Sequence, residues 1–180
     1  MGRCLDMKDD QTKYEIRRAL PKDANALFTF GQLLLSESQF LLRSPGERAG
    51  SPAEMKLVIE RFLVRPNHLL LSAFFATNVV GEAIVTGGDF QRNRLSGTIG
   101  IGILEAHSRR GLGRKFLREI DAYAKVHGLH RLELTVMEAN APARALYESM
   151  GYVVEGIKRD SLYVGNNFVN ELIMAKLQNN

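Results

Sequence analysis

Thr98-Ile99-Gly100-Ile101-Gly102-Ile103-Leu104, followed shortly by Ser108-Arg109-Arg110-Gly111-Leu112-Gly113-Arg114, decides how this chain is read. The first stretch is an apolar run of strand length, and its glycines leave the backbone open to a ligand or a bulge. The second is a tight basic turn. Behind it, Leu112, Phe116, Ile120 and Tyr123 recur at helical spacing, with Arg118, Asp121 and Lys125 on the other side. That pattern predicts a helix over 112–127, terminated by Gly128. Residues 131–137 then alternate Leu132, Leu134 and Val136 against Glu133, Thr135 and Met137, which reads as a strand. Strand, glycine turn, helix and strand make a β-α-β unit.

Working outward, residues 13–20 read as a first strand with Tyr14 and Ile16 on one face. Asp23 is placed to cap a helix running through Leu27, Leu34 and Leu35. Ser51-Pro52 opens a second helix, with Met55, Val58, Ile59 and Phe62 on one side. Residues 68–76 and 79–86 are apolar runs joined at Thr77-Asn78, a hairpin. Downstream, Asn140-Ala141-Pro142 starts a short helix ending at Gly151. Strands over 152–157 and 168–177 flank Val164-Gly165-Asn166-Asn167. The order β-α-α-β-β-β-α-β-α-β-β is an antiparallel meander feeding the β-α-β unit, so the fold class is α/β with a mixed sheet.

The chain has 180 residues, 45% hydrophobic and 24% charged, which fits one globular domain over 1–180 and excludes a disordered or collagen-like chain. Residues 1–12 are expected to be a flexible N-terminal extension. No apolar run approaches the roughly 20 residues a bilayer requires, and the first residues lack the apolar core of a signal peptide. Gly2 and Cys4 hint at lipidation, but Asp6 stands where myristoylation wants Ser or Thr. The single cysteine excludes an internal disulfide and any multi-thiolate metal site. The expected setting is cytoplasmic, with no membrane, metal or nucleic-acid partner.

Net charge is +4, concentrated in Arg109, Arg110, Arg114, Lys115 and Arg118. A glycine turn at a helix N-terminus, backed by such charge, suits phosphate. Two nucleotide signatures are excluded. Phe116 stands where a dinucleotide fingerprint requires glycine or alanine, and the chain has no Gly-Lys pair for a P-loop.

The second feature is Asn140-Ala-Pro-Ala143-Arg-Ala-Leu146-Tyr147-Glu-Ser-Met-Gly151-Tyr152. As structure alone it is a capped amphipathic helix, which leaves Tyr147 unexplained, since a buried hydroxyl needs a partner. Together the two features resemble the GNAT-type N-acetyltransferase superfamily. Its members carry (Gln/Arg)-x-x-Gly-x-(Gly/Ala) after the fourth strand, then Asn-x-x-Ala-x-x-Leu-Tyr-x-x-x-Gly-(Phe/Tyr). The second motif matches at Asn140, Ala143, Leu146, Tyr147, Gly151 and Tyr152; the first matches at Gly111 and Gly113, with Ser108 at the Gln/Arg position.

The resemblance implies a mostly antiparallel sheet of six or seven strands flanked by about four helices. It also implies acetyl-CoA as acetyl donor and a primary amine of a small molecule, peptide or protein as acceptor. The loop amides of Ser108, Arg109, Arg110, Gly111, Leu112, Gly113 and Arg114 would bind the pyrophosphate. The backbone of Ile101, Gly102 and Ile103 would pair with the pantetheine arm, as sheet edges bind extended ligands generally. Asn140 and Ala143 would contact that arm, and Tyr147 would lie at the thiol as general acid. Homodimers are common among relatives, though the sequence itself does not argue for one here.

An ammonium acceptor needs a proton acceptor, the oxyanion needs donors, and the leaving thiolate needs a proton. Some relatives place a glutamate at the position of Thr98, which cannot serve. Glu82 is the first substitute as base: it would share a strand face with Val80 and Ile84, where burial would raise its pKa. Glu133, Glu138 and Asp89 rank behind it. His127 and His130 read as surface residues, because Gly128 breaks the helix between them. A non-catalytic acyl-CoA sensor of the same fold is the competing reading. Polyamine, amino acid, protein N-terminus and aminoglycoside-like drug all stay open as acceptors, to be selected by the N-terminal helices, the 43–50 loop and the hairpin around Leu162–Phe168.

Overall fold

Seven strands form one sheet in the computed structural model, which describes residues 14–44 and 46–178. The expected extension, with Gly2 and Cys4, lies outside the described residues. The strands are β1 (Tyr14–Arg18), β2 (His68–Phe75), β3 (Asn78–Gly87), β4 (Ser96–Ile103), β5 (Arg131–Met137), β6 (Val153–Val164) and β7 (Asn167–Leu177), in the spatial order β1-β2-β3-β4-β5-β7-β6. The helices are α1 (Ala24–Glu37), α2 (Pro52–Val64), α3 (Leu112–His127) and α4 (Ala141–Ser149). Elements follow one another as the sequence predicts.

Each face of the sheet has its own core. Leu27, Phe30 and Leu34 of α1 and Met55 and Ile59 of α2 pack on Leu70, Phe74 and Val79. Phe116, Leu117 and Ile120 of α3, each 0% exposed, pack on Leu71, Val85 and Leu132 across the opposite face. Burying a side chain of that size contributes roughly 1.5–3 kcal/mol. Ser51 caps α2 by accepting from the Glu54 amide, with Pro52 at the first helical position, and Gly128 closes α3 at φ +68°.

Three local expectations are corrected. Asp23 does not cap α1 with its side chain: it takes both guanidinium nitrogens of Arg17, at 2.7 and 2.9 Å, and the Leu20 amide at 2.8 Å. A bidentate charged partner outcompetes a neutral helix amide. Val80 does not share a face with Glu82. The β2–β3 register skips it, and it joins the core under α3. β6 does not stop near 157. It runs to Val164 and absorbs the polar segment Arg159-Asp160-Ser161 in a register shift between Lys158 and Leu162.

Every ladder is antiparallel except β4–β5. That parallel pair holds only over Ser96–Thr98 against Arg131–Glu133. Beyond it β4 keeps pairing with β3 through Ile103, and β5 keeps pairing with β7 through Met137. The two central strands therefore part, and the edge of β4 from Ile99 to Ile103 opens into the gap.

Candidate active site

The turn between β4 and α3 is shaped by two left-handed residues, Arg109 at φ +58° and Gly111 at φ +80°. The first helical hydrogen bond runs from Lys115 N–H to the Gly111 carbonyl. The amides of Leu112, Gly113 and Arg114 thus precede the first intrahelical bond and stand at the positive end of the helix dipole. A side-chain carbon added at Gly111 would meet nothing within 4 Å, so open space lies in front of this turn. Gly113 has a different role: a Cβ there would stand 2.6 Å from Leu146 Cδ2, so its absence lets α4 pack against α3.

The other residues of the loop divide. Leu112 is 1% exposed and offers only its amide. Ser108 is engaged locally, its N–H donating to Glu105 O and its hydroxyl to Leu104 O at 3.3 Å. Arg114 turns back to α4, donating to Ser149 Oγ at 3.1 Å. Arg109 and Arg110 are exposed on the turn itself.

Across the gap, Asn140 caps α4, its Oδ1 accepting from the Ala143 amide at 3.3 Å. Ala143 and Leu146 pack on the α3-side core. Tyr147 is 7% exposed, its ring edge-on to Tyr152 with centroids 5.7 Å apart. Burial pushes its phenol up to about 12. Among the described residues no hydrogen bond engages its hydroxyl, yet unlike that of Tyr152 it is not sealed from solvent. A protonated donor without a partner, at the border of an open cleft, is poised to donate to a ligand.

On the α1–α2 face, Glu82 lies opposite Gly102 of β4 and Ser72 of β2. It does not stand alone there. Arg48, in the α1–α2 connection, reaches it with Nη2 at 2.5 Å from Oε2. Among the lesser candidates, Asp89 is paired with Arg65 and Glu133 with Arg131, while Glu138 accepts from Asn170 Nδ2. Thr98 stands where β4 and β5 still pair, beside Glu133. His127 and His130 are exposed, and no group of three or more metal-ligating side chains occurs among the described residues.

The same face carries a cavity of about 460 Å³ between the α1–α2 connection and the β6–β7 hairpin. Leu35, Ser38, Arg43 and Glu47 wall one side, Ser161, Leu162 and Tyr163 the other, and Met137 of β5 lies between. Of the segments expected to select the acceptor, the end of α1, the 43–50 loop and the β6–β7 hairpin line this cavity beside the end of β5, while α2 contributes no lining residue. Glu171, 7% exposed, is the register partner of Met137. Its burial would raise its pKa, but hydrogen bonds from Thr135 and Ser161 and the nearby Lys158 outweigh that and hold it below the usual range. Sequence reading missed Glu171 and Arg48, because neither stands in a motif and each meets its partners only through the fold.

Comparison with known proteins gives one answer. The acetyltransferase (GNAT) family model matches residues 36–152. An L-amino acid N-acetyltransferase of Escherichia coli (strain K12) is 28% identical over 123 residues, covering 66% of this chain and 74% of that protein. The crystal structure of a GNAT-family acetyltransferase from Streptococcus pneumoniae superposes with a TM-score of 0.88 at 30% identity, over 92% of this chain and 99% of that one. A Salmonella typhimurium protein described as a putative acetyltransferase, solved with its cofactor acetyl-CoA, shares the fold at a TM-score of 0.82 and 18% identity, covering 93% and 95%.

Proposed function

The chain belongs to the GNAT acetyltransferase family and is an acetyl-CoA-dependent acyltransferase, and from that premise we propose that it moves the acetyl group directly onto a primary amine. The observation that carries this reading is the parted β4–β5 pair, together with the open turn at Gly111 and a Tyr147 hydroxyl that has no partner among the described residues.

In this reading the amides of Leu112, Gly113 and Arg114 hold the pyrophosphate, with Arg109 and Arg110 adding charge from the turn. The pantetheine arm lies along Ile101-Gly102-Ile103 as an extra strand, with Asn140 and Ala143 beside it. The acceptor enters through the cavity on the α1–α2 face. An ammonium of ordinary pKa is about 10⁻³ neutral at pH 7, so its proton must be taken up as it binds. Glu82, the cross-strand partner of Gly102, is the carboxylate that receives it. The N–C bond forms as the C–S bond breaks, with β4 amides facing the oxyanion. Of the two protons the nitrogen loses, one leaves through Glu82 to solvent, and sulfur gains one in the Tyr147 hydrogen bond.

The E. coli relative acts, by name, on L-amino acids, which puts free amino acids beside peptide N-termini and polyamines as the acceptors to try first. The decisive assay follows thiol release from acetyl-CoA with an amine panel, together with the mass of the acetylated product. Tight acetyl-CoA binding with no thiol release from any amine would favour the competing reading, a non-catalytic sensor. A cytoplasmic setting belongs to the proposal. So does a homodimer, which the exposed Val153, Ile157 and Tyr163 of edge strand β6 support.

A further inference from the structure

Gly31 sits in the middle of α1, where glycine costs about 1 kcal/mol relative to alanine. Its missing side chain has a specific use. A Cβ there would stand 2.7 Å from Arg48 Nε, so the helix is notched to admit a guanidinium. Arg48 follows directly on Glu47, which lines the cavity, and passes this notch to reach Glu82. The side chains of Arg48 and Glu82 are 13% and 15% exposed, largely buried but not sealed. Beneath them β4 presents Gly102, where a Cβ would collide with Leu34 Cδ2, so that α1 packs directly on the strand, and Gly100, where a Cβ would meet only Ile84 within 4 Å. Beside Glu82, the Ser72 hydroxyl is buried without a partner among the described residues. An ion pair and an orphan hydroxyl therefore meet beside the glycines of β4, next to the gap.

We propose that Arg48 and Glu82 together read a free α-amino acid, Arg48 taking the acceptor's carboxylate and Glu82 its ammonium. The proposal rests on the acetyltransferase reading of the site. Its physical basis is charge balance in a poorly hydrated space. An acceptor carrying only an ammonium would draw Glu82 away and leave Arg48 buried without a counter-charge, which is strongly unfavourable. A zwitterion exchanges one internal ion pair for two intermolecular ones and leaves no charge unmatched. Arg is suited to this because its planar fork binds a carboxylate through two parallel hydrogen bonds. The pair thus acts as a filter: amines, amides and peptide N-termini lack the group that Arg48 requires.

The test compares each common L-amino acid with its own carboxamide as acceptor for the wild-type protein, by thiol release and product mass. The carboxamide has the less basic and therefore more available amine, so a preference for the acid cannot come from reactivity. The expected result is a kcat/KM for the acids about 10²-fold above that for the amides, carried mainly by KM, in line with the penalty for an unpaired buried charge. In Arg48→Gln that ratio should collapse toward one. Arg48→Lys should recover part of it. Equal or better use of the amides by the wild type would overturn the proposal and leave the acetyltransferase reading standing. Absence of thiol release with every acid and amide, while other amines are acetylated, would do the same. No acetylation of any amine would overturn both. Because the wild-type comparison needs no variant, the test does not depend on the folding of an Arg48 mutant.

Discussion

Replacing Tyr147 by phenylalanine removes one oxygen and tests the chemistry most directly. The ring's edge-on packing against Tyr152 needs no hydroxyl, and that hydroxyl has no partner among the described residues. The melting temperature of Tyr147→Phe should therefore stay within about 3 °C of wild type, the equivalent of roughly 1 kcal/mol at this size. The rate should not stay. Burial pushes the phenol to about 12, whereas a free thiol lies near 8.5. The gap of roughly 3.5 units makes complete proton transfer to an ordinary thiolate uphill by about 5 kcal/mol. On the proposed mechanism Tyr147 would therefore act chiefly as a hydrogen-bond donor to the growing negative charge, and the proton would follow as burial raises the sulfur's own basicity. A hydrogen bond to a charged group contributes about 1.5–3 kcal/mol, and general acids typically 10²–10⁴ in rate. The expected loss is then near the lower end, about 10²-fold, in single-turnover acetyl transfer at unchanged acetyl-CoA affinity. Wild-type activity should show no falling limb from this residue below about pH 11. A mutant within threefold of wild type would refute the donor role. An alkaline limb near pH 9 that vanishes in the mutant would refute the argument from burial.

Gly111→Val places a β-branched side chain at φ +80° and into the space kept for phosphate, so acetyl-CoA affinity by calorimetry should fall at least about tenfold while the protein stays folded. Gly128→Val imposes the same kind of strain at φ +68°, also with nothing within 4 Å, and should cost stability without touching that affinity. Asp23 is held below its ordinary carboxylate pKa, first by hydrogen bonds from Arg17 and then by the Leu20 amide, against the opposing effect of burial. Its depressed pKa means it stabilises the fold at neutral pH and loses that contribution as pH falls through the folded value, below about 3.8. Asp23→Asn should cost about 1–3 kcal/mol at pH 7 by denaturant titration and flatten the acid limb below pH 4. Tyr152→Phe deletes a buried, unpartnered hydroxyl, and its melting temperature should equal or exceed that of wild type.

Much of the fold was legible because local signals agreed with tertiary ones. The apolar spacing of Leu112, Phe116 and Ile120, bracketed by Gly111 and Gly128, placed α3 where the structure has it, and the alternation over 131–137 placed β5. Where sequence and structure part, a partner outside the local pattern decided. Arg17 drew Asp23 away from its cap, and a register slip against β2 moved Val80 to the other face. The strand predicted over 152–157 stops short of the polar run in β6, yet β7 supplies a ladder on both sides of the irregularity.

The site divides along the same line. Its donor half is built from segments close in the chain, strand β4, the turn and α3, with α4 returning beside them, so fixed spacings recorded it. Its acceptor half is assembled from positions far apart. Arg48 meets Glu82 across 34 residues, and Ser161 of β6 shares a cavity with Leu35, Ser38 and Arg43. No spacing rule links such residues, and each alone looks like a solvated charge or hydroxyl. Gly31 was the one local sign, a glycine in a helix otherwise rich in leucine, where a missing side chain implies that something else occupies the space. Donor chemistry is shared and therefore fixed in motif. On the proposed reading, acceptor choice falls to contacts a chain can change without disturbing that motif, and a helix notched for one guanidinium is a contact of that kind.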